Sequence, residues 1–296
     1  MIIGVTGGSG FIGSRLIKKL IEKNYEVVNI DIVPPNNNKI NFIKADITDL
    51  NQIKNALKNI DLLFHFAGST VEKSRKKTYE SFILDVLGTL NVLEACKVNG
   101  VNKIIFASSF YVYDGLDPKM VVNEITPLEP RNMELFGASK LMCESLIFDY
   151  SRKYQLKYVI LRIGPVYGWG NCTSVIKTFI EAALSGQPIE VWGKGERKNQ
   201  YTFIEDVVEG CILAMNKDNE VYNLISPEYV SIKEIAQILK DKYGFEVVFN
   251  PIQKEGPSMP YISPLKAMTE LKWKYTTLEK GIEMTVNEAK KEKNLQ

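Results

Sequence analysis

The sequence of 296 residues predicts an α/β fold, a doubly wound parallel sheet followed by a smaller C-terminal α/β lobe. Three features predict it. Short β-branched runs alternate with helix-period apolar patterns through the first half. A glycine-rich turn joins the first run to the first helix, and after residue 165 the elements become shorter and more often broken by Gly and Pro.

Taken in order, "MIIGVT", "YEVVNID", "INFIKAD", "LLFHFAG", "VNKIIFASS" and "KYVILRI" read as buried strands, because each is a short, nearly continuous apolar run. Between them, "FIGSRLIKKLIEK", "LNQIKNALK", the long "TYESFILDVLGTLNVLEAC" and "MELFGASKLMCESLIFDYSRKY" carry helical periodicity. Right-handed crossovers then place helices on both faces of the sheet. Beyond "LRIGPVYGWGN" come "VIKTFIEAALSG", "IEVWG", "YTFIEDVVEGCILAM", "VYNLI", "SIKEIAQILKDKYG" and "TLEKGIEMTVNEA", the elements of the smaller lobe. The boundary falls near residue 166, a crossing of the chain back to the first lobe is compatible with the pattern, and "PPNNNK" is a turn-rich loop.

Composition narrows the function classes. Thirty-seven basic and 35 acidic side chains give a net charge of +2, without the basic excess that drives binding to a phosphate backbone, so no nucleic-acid partner is expected. The clusters "KSRKK" and "KKEK" read as solvated helix faces. Cysteines 96, 143, 172 and 211 are widely spaced in or beside apolar patterns and read as reduced thiols, which suits a cytoplasmic protein. With His65 the single histidine, no two-histidine metal site is available, and that residue reads as a satisfied group near a strand end. No run reaches the ~18 apolar residues of a membrane span, and with apolar residues beginning at Ile2 no signal peptide is expected.

The stretch "VTGGSGFIG" carries the chemistry. Gly8, Gly10 and Gly13 form a G-x-G-x-x-G between a strand and an apolar helix, and Gly7 adds a second spacing, G-x-x-G-x-x-G. Glycines there let the backbone approach a pyrophosphate, and the helix opening through Phe11 and Ile12 offers free N–H groups and the positive end of its dipole. Residues 1–165 therefore read as a dinucleotide-binding Rossmann domain. Asp31 ends the second strand, 18 residues after Gly13, where a carboxylate accepts hydrogen bonds from ribose hydroxyls and repels a 2′-phosphate. No arginine follows in "IVPPNNNK", so NAD is expected rather than NADP. Asp46 and Ile47, in "ADITD", are candidates to frame the adenine, with a helix cap the structural alternative for Asp46.

A second stretch, "LFGASKLMCE", sets Phe136 and Lys140 four residues apart on one helix face. A phenylalanine gives the ammonium a weak cation–π partner and no hydrogen-bond acceptor.

The ordered series "TGGSGFIG", "ADITD", "LFHFAG", "LGTLNVLEAC", "SSFYVY", "FGASKLMCE", "LRIGPVYG", "FIEDVVEG", "YNLIS" and "ELKW" resembles the NAD-dependent epimerase/dehydratase family of extended short-chain dehydrogenase/reductases, most closely the nucleotide-sugar epimerases of the UDP-glucose 4-epimerase kind. The resemblance implies a tyrosine and lysine in Tyr-x-x-x-Lys spacing, with a nearby hydroxyl, so that a phenolate takes a proton from a sugar hydroxyl while nicotinamide takes the hydride. Lys140 matches the lysine, Ser109 the hydroxyl, and Phe136 occupies the tyrosine position. Three explanations fit: a Tyr→Phe substitution introduced into an enzyme, a natural homologue that binds without turnover, or a different base such as Tyr111 or a water. The resemblance also implies cofactor contacts from Phe66, Ala67 and Lys140, and substrate contacts from Asn171, Asn199 and Lys254 in a lobe spanning 166–296.

Where the family's dehydratases and decarboxylases carry carboxylates after the hydroxyl residue, this chain has Phe110 and Tyr111, either as strand-end packing or as substrate contacts. Simple oxidation and reduction at a sugar carbon, C4 by resemblance, is what remains. It is expected of a UDP- or dTDP-linked sugar. Asn199 and Gln200 replace an Arg-Asp pair that helps bind the diphosphate, and Lys254 replaces a later arginine, leaving Arg197 or Lys198 to supply charge. Asp85 stands where the family has asparagine and has no assigned role. The helices around 77–98 and 134–154 resemble those that family dimers pair, so a homodimer is expected.

Overall fold

The computed structural model describes residues 1–293. Its central sheet has seven strands, here numbered within that sheet: β1 Ile2–Thr6, β2 Glu26–Asp31, β3 Asn41–Lys44, β4 Leu62–His65, β5 Lys103–Ser109, β6 Lys157–Ile163 and β7 Glu220–Leu224. All pairings are parallel, in the order β7-β6-β5-β4-β1-β2-β3. The order reverses between β1 and β4. Ligands of such sheets bind at that switch point, beyond the carboxyl ends of the strands.

Six strands are the six runs read from the sequence. The seventh, from "VYNLI", returns from beyond residue 166 and pairs with β6, Val221 opposite Ile160. The reading of "INFIKAD" as a buried strand needs correction: β3 is the outer strand, paired only to β2, and Asn41, Ile43 and Lys44 are exposed. An edge strand has a neighbour on one side only, so an apolar run there is not enclosed as it would be in the sheet centre.

Helix α1, Phe11–Glu22, follows β1 and turns Leu16, Ile17 and Leu20 fully inward. Helix α2 is Leu50–Ala56. The long helix expected after it is divided: a short helix at Thr78–Phe82, a π-helical turn at Ile83–Leu87, then α3, Gly88–Asn99. A Cβ at Gly88 would stand 2.6 Å from Ile47 Cδ1, so glycine lets the helix come down on the loop just after β3, past the widened turn. Helix α4, Leu135–Tyr154, buries Cys143 and Ile147 against the sheet and ends at Gln155 with φ 58°. Cys96, Cys143 and Cys211 are buried free thiols and Cys172 is half-buried.

Beyond β6 the chain builds short two-stranded sheets, Ile189–Trp192 with Val247–Asn250 and Lys198–Gln200 with Tyr229–Ser231 among them. The helices Val175–Leu184, Ile204–Ala214, Ile232–Tyr243 and Leu278–Glu292 pack around them. Their apolar faces are continuous with the first half. Ile3, Leu16, Ile204, Leu239 and Val286 belong to one buried cluster. Among the described residues no helix is long and apolar enough to cross a membrane, and no cluster of His, Cys, Asp and Glu could hold a metal ion.

Candidate active site

The glycine turn is tight enough to define its own chemistry. Gly7 has φ +70°, and a Cβ there would meet Ala67 N at 2.6 Å; one at Gly13 would meet Gly7 O at 2.3 Å. Both are places only hydrogen can occupy. Gly10 differs: it caps α1 without any side-chain cap, and its Cβ position has only Gly7 O nearby, at 3.1 Å. The bare backbone of Gly10 and the uncapped first turn through Phe11 and Ile12 thus form a cradle for an anion. Phe11 also carries the turn to the second half, since a Cβ at Gly170 would lie 3.1 Å from Phe11 Cε2; Asn171, next along, is exposed.

Asp31 is held beside this turn. Its Oδ2 accepts the Ser9 N–H at 3.0 Å and its Oδ1 the Val33 N–H at 3.1 Å, while the Ser9 hydroxyl donates to Val33 O at 2.6 Å. The carboxylate is fixed in place with lone pairs to spare for a ribose. Asp46 accepts both the N–H and the hydroxyl of Thr48 at 2.8 Å. It is not the helix cap; Asp49 is, accepting from Asn51 N and Gln52 N, because it stands directly before α2. Ile47 is almost fully buried against Gly88, and its carbonyl accepts from Asn91 Nδ2 at 3.0 Å.

His65, the last residue of β4, is fully buried between the hydroxyls of Thr6, 2.7 Å from Nδ1, and Thr89, 3.1 Å from Nε2. Burial, aided by the Lys140 charge, pushes its pKa down to about 3. The ring is neutral and structural. Beyond it Phe66 N donates to Thr6 O at 3.0 Å and Ala67 packs on Gly7, while a Cβ at Gly68 would lie 3.3 Å from Lys140 Nζ. The segment 66–68 therefore joins the glycine turn to the lysine.

Ser109 ends β5, and its hydroxyl accepts the Tyr111 N–H at 3.2 Å, capping the 3-10 turn Phe110–Tyr113. Phe136 and Lys140 occupy the first turns of α4, which sits directly on that 3-10 turn: a Cβ at Gly137 would meet Tyr111 O at 2.3 Å. Phe136 is buried, and its ring stands edge-on to Tyr111, centroids 5.6 Å apart at 86°. Lys140 is also buried. Its Nζ donates to Ala107 O at 3.2 Å and lies 5.1 Å from the Phe106 ring centroid and 5.8 Å from that of Phe136. Ser109, Tyr111, Phe136 and Lys140 are thus brought together at the carboxyl end of β5. Burial pushes the Tyr111 phenol up, opposed by the positive charges of Arg197 and Arg75.

The residues expected on the substrate side differ in their exposure. Asn199 is buried, its Oδ1 accepting the Gln200 N–H at 2.9 Å, and Lys254 is exposed. Gln200 is occupied with the backbone, donating to Ser226 O at 2.7 Å and Ile262 O at 2.9 Å and accepting from Ile262 N. Of the two cations beside them, Lys198 lies over the Tyr229 ring, 5.9 Å from its centroid. The Arg197 charge instead acts on the Tyr111 and Tyr201 phenols, and its Nε is buried without a partner.

Sequence reasoning missed the support beneath the site. Glu144, fully buried one turn after Lys140, accepts from Arg162 Nε at 3.1 Å and Nη2 at 2.8 Å and from the Ser108 hydroxyl at 2.5 Å. Arg162 Nη1 donates to the Tyr113 hydroxyl at 2.8 Å, which donates to Asn223 Oδ1 at 2.9 Å. The available signal was a carboxylate on the apolar face of a helix and an arginine inside the buried run "KYVILRI".

Fold, glycine cradle and the adjacent Asp31 carboxylate fit a dinucleotide-binding α/β protein, with a buried lysine, Lys140, near the carboxyl end of β5. The chain belongs to the NAD-dependent epimerase/dehydratase family, whose model matches residues 3–224. It is 33% identical, over 97% of each chain, to a Methanocaldococcus jannaschii protein provisionally named UDP-glucose 4-epimerase. Its structure is similar to that of a Thermotoga maritima UDP-glucose 4-epimerase with UDP-glucose, with TM-score 0.89 at 29% identity over 99% of each chain. It is also similar to a Bacillus cereus UDP-glucuronic acid 4-epimerase in complex with UDP-glucuronic acid and NAD, with TM-score 0.87 at 28% identity over 98% of this chain and 99% of that one. NAD is the cofactor of the family, and the glycine cradle and Asp31 fit its pyrophosphate and ribose.

Proposed function

We propose that this chain binds NAD and a UDP- or dTDP-linked sugar in a site built for reversible oxidation and reduction at a sugar carbon, C4 in the leading reading, with its proton-transfer group replaced by Phe136. Bound NAD supplies the redox partner that accepts and returns the hydrogen of that carbon. The chain's own residues supply the rest. Gly7, Gly10 and Gly13 with the α1 N-terminus hold the pyrophosphate, and Asp31 accepts from the adenosine ribose. Lys140 orients the nicotinamide end, and the Ser109 hydroxyl hydrogen-bonds the reacting sugar oxygen. Arg197, with its unpartnered buried Nε, supplies the charge for the diphosphate of the sugar nucleotide.

The observation that supports the reading is that Lys140 lies 5.8 Å from the Phe136 ring centroid, and that this ring packs on Tyr111, whose N–H is held by Ser109 at the carboxyl end of β5. Phe110 and Tyr111 offer no carboxyl group for eliminating water or carbon dioxide, which favours epimerisation or reduction. The test is absorbance of reduced nicotinamide in the protein and in Phe136→Tyr, with a panel of nucleotide sugars. Hydride transfer that appears with tyrosine supports the proposal. Silence in both, with NAD bound, points instead to a protein that binds cofactor and ligand without turnover.

A second reading rests on Tyr111. Its hydroxyl has no hydrogen-bond partner among the described residues; burial raises its pKa, and the guanidinium groups of Arg197 and Arg75 pull against that rise. Turnover in the Phe136 protein that is abolished by Tyr111→Phe would make that phenol the base of a ketosugar reductase.

Helices 78–99 and 135–154 leave Tyr79, Val98, Met142 and Tyr154 exposed, which supports pairing as a homodimer through these helices. Light scattering of the protein against Val98→Glu checks it: a dimer becomes a monomer.

A further inference from the structure

Asp85 takes no part in the site as described so far, yet it is a carboxylate that is 2% exposed. The π-helical turn Ile83–Leu87 turns it toward the loop after β4, where it accepts the Ser69 N–H at 2.6 Å and the Ser69 hydroxyl at 2.5 Å. Between them lies Gly68. A Cβ on Gly68 would stand 2.9 Å from Asp85 Oδ1 and 3.3 Å from Lys140 Nζ. The carboxylate and the ammonium therefore close on the same Cβ position of one glycine, and among the described residues they form no direct ion pair.

A buried ammonium without a counter-charge is costly. Lys140 has a single hydrogen-bond acceptor, Ala107 O, and two aromatic rings, none of which is an anion. The other titratable groups packed around it are already accounted for. His65 is neutral between its two threonines. The Cys143 thiol is pushed up to about 11 by burial, and Glu144 is closed by Arg162. Tyr111 packs on the Phe136 ring, with the charges of Arg75 and Arg197 acting on its phenol, and Arg75 is itself paired to Glu134.

We infer that Asp85 is the counter-charge of Lys140 and its positioning residue, so that the site is electrically balanced with no phenolate in it. The inference deepens the functional reading and takes from it only the location of the site. A phenol placed at position 136 would then enter beside an ammonium whose field is already offset, and would ionise less readily than in a site with an amide at position 85. Asn at that position keeps the shape and an acceptor for the Ser69 N–H, so the loop is retained while the charge is removed.

The experiment is an ultraviolet titration of tyrosine ionisation, taking the difference between F136Y and the parent, and between F136Y/D85N and D85N; each difference reads the one added phenol. The midpoint is expected about one pH unit lower in the D85N background, the effect of removing one negative charge from a buried site. A third background, S69A, removes a hydrogen bond and keeps the charge, and is expected to leave the midpoint in place. Equal midpoints with Asp85 and D85N would overturn the inference, as would an S69A shift equal to that of D85N. Thermal unfolding gives a second reading without any phenol. K140Q is expected to lower the melting temperature and D85N/K140Q to recover part of that loss; losses that simply add would overturn the inference. Neither measurement uses a sugar or turnover, so silence of F136Y in the hydride-transfer assay would count against the functional reading alone.

Discussion

The glycine turn at Gly7–Gly13 and the helix start at Leu135–Lys140 meet across the segment 66–68, but they have changed to different degrees. On the cofactor side every position that needs hydrogen for a side chain has it, and Asp31 is held by two backbone N–H groups. Around Lys140 and Ser109 the buried aromatic neighbour, Phe136, carries no oxygen, and in the proposed function that is the side on which proton transfer is missing. One side is complete as a cradle; the other, as proposed, is packed without an acid/base group. The difference separates binding from turnover, since the first requires a cradle and the second a proton acceptor.

The largest effect that can sharpen this contrast is the gain from F136Y, expected at ~10²–10⁴-fold in hydride transfer from a nucleotide sugar, the usual contribution of a positioned general base. The added oxygen projects from a ring already packed, so the fold is expected to be retained by circular dichroism. Next comes the support under the reaction side. Glu144→Gln leaves Arg162 buried without a matching charge and is expected to cost about 3–5 kcal/mol in chemical denaturation. Removing both charges with shape-matched apolar residues should cost less.

On the cofactor side, Gly13→Ala forces a methyl to within 2.3 Å of Gly7 O. Overpacking of this kind costs about 1–3 kcal/mol, which is roughly a 5- to 150-fold weaker NAD affinity by titration calorimetry if the strain falls on the bound state. The same substitution at Gly100, where no atom lies within 4 Å but φ is +68°, costs stability alone and leaves NAD affinity unchanged.

The smallest effect per step is on pH. His65 carries fewer protons folded than unfolded between its lowered value of about 3 and the ordinary 6.5, because burial and Lys140 disfavour the imidazolium. Stability is therefore full above about pH 6.5 and falls as pH drops toward 3, by about 1.4 kcal/mol per unit. A His65→Asn variant should lose that part of the slope in urea titrations at pH 4 to 7, and an unchanged slope would show that other groups set it.

Much of this was legible in the sequence for identifiable reasons. Six strands were visible because a parallel sheet covered on both faces demands continuous apolar runs, and the glycine turn because its spacing follows from contacts that only hydrogen allows. The exposure of β3 was hidden: "INFIKAD" has strand composition, and its edge position depends on which strand comes last in the sheet. The π turn at Ile83–Leu87 was hidden too, since inserting one residue in a helix leaves the apolar pattern almost unchanged. Asp85 could be noticed as unusual, but its partner Ser69 lies 16 residues away and across a loop. Glu144 and Arg162 each left a mark in an apolar pattern, but their pairing was hidden, because the partner sits in the next strand.

The central claim is that the cofactor side is complete and the reaction side lacks one oxygen. Its most direct test is a paired measurement on the protein and on F136Y: NAD affinity by titration calorimetry, then formation of reduced nicotinamide in a single turnover with the nucleotide sugar that binds best. The account predicts the same NAD affinity in both proteins and hydride transfer with tyrosine only. Failure of the Phe136 protein to bind NAD, or hydride transfer at equal rates in both, would contradict it.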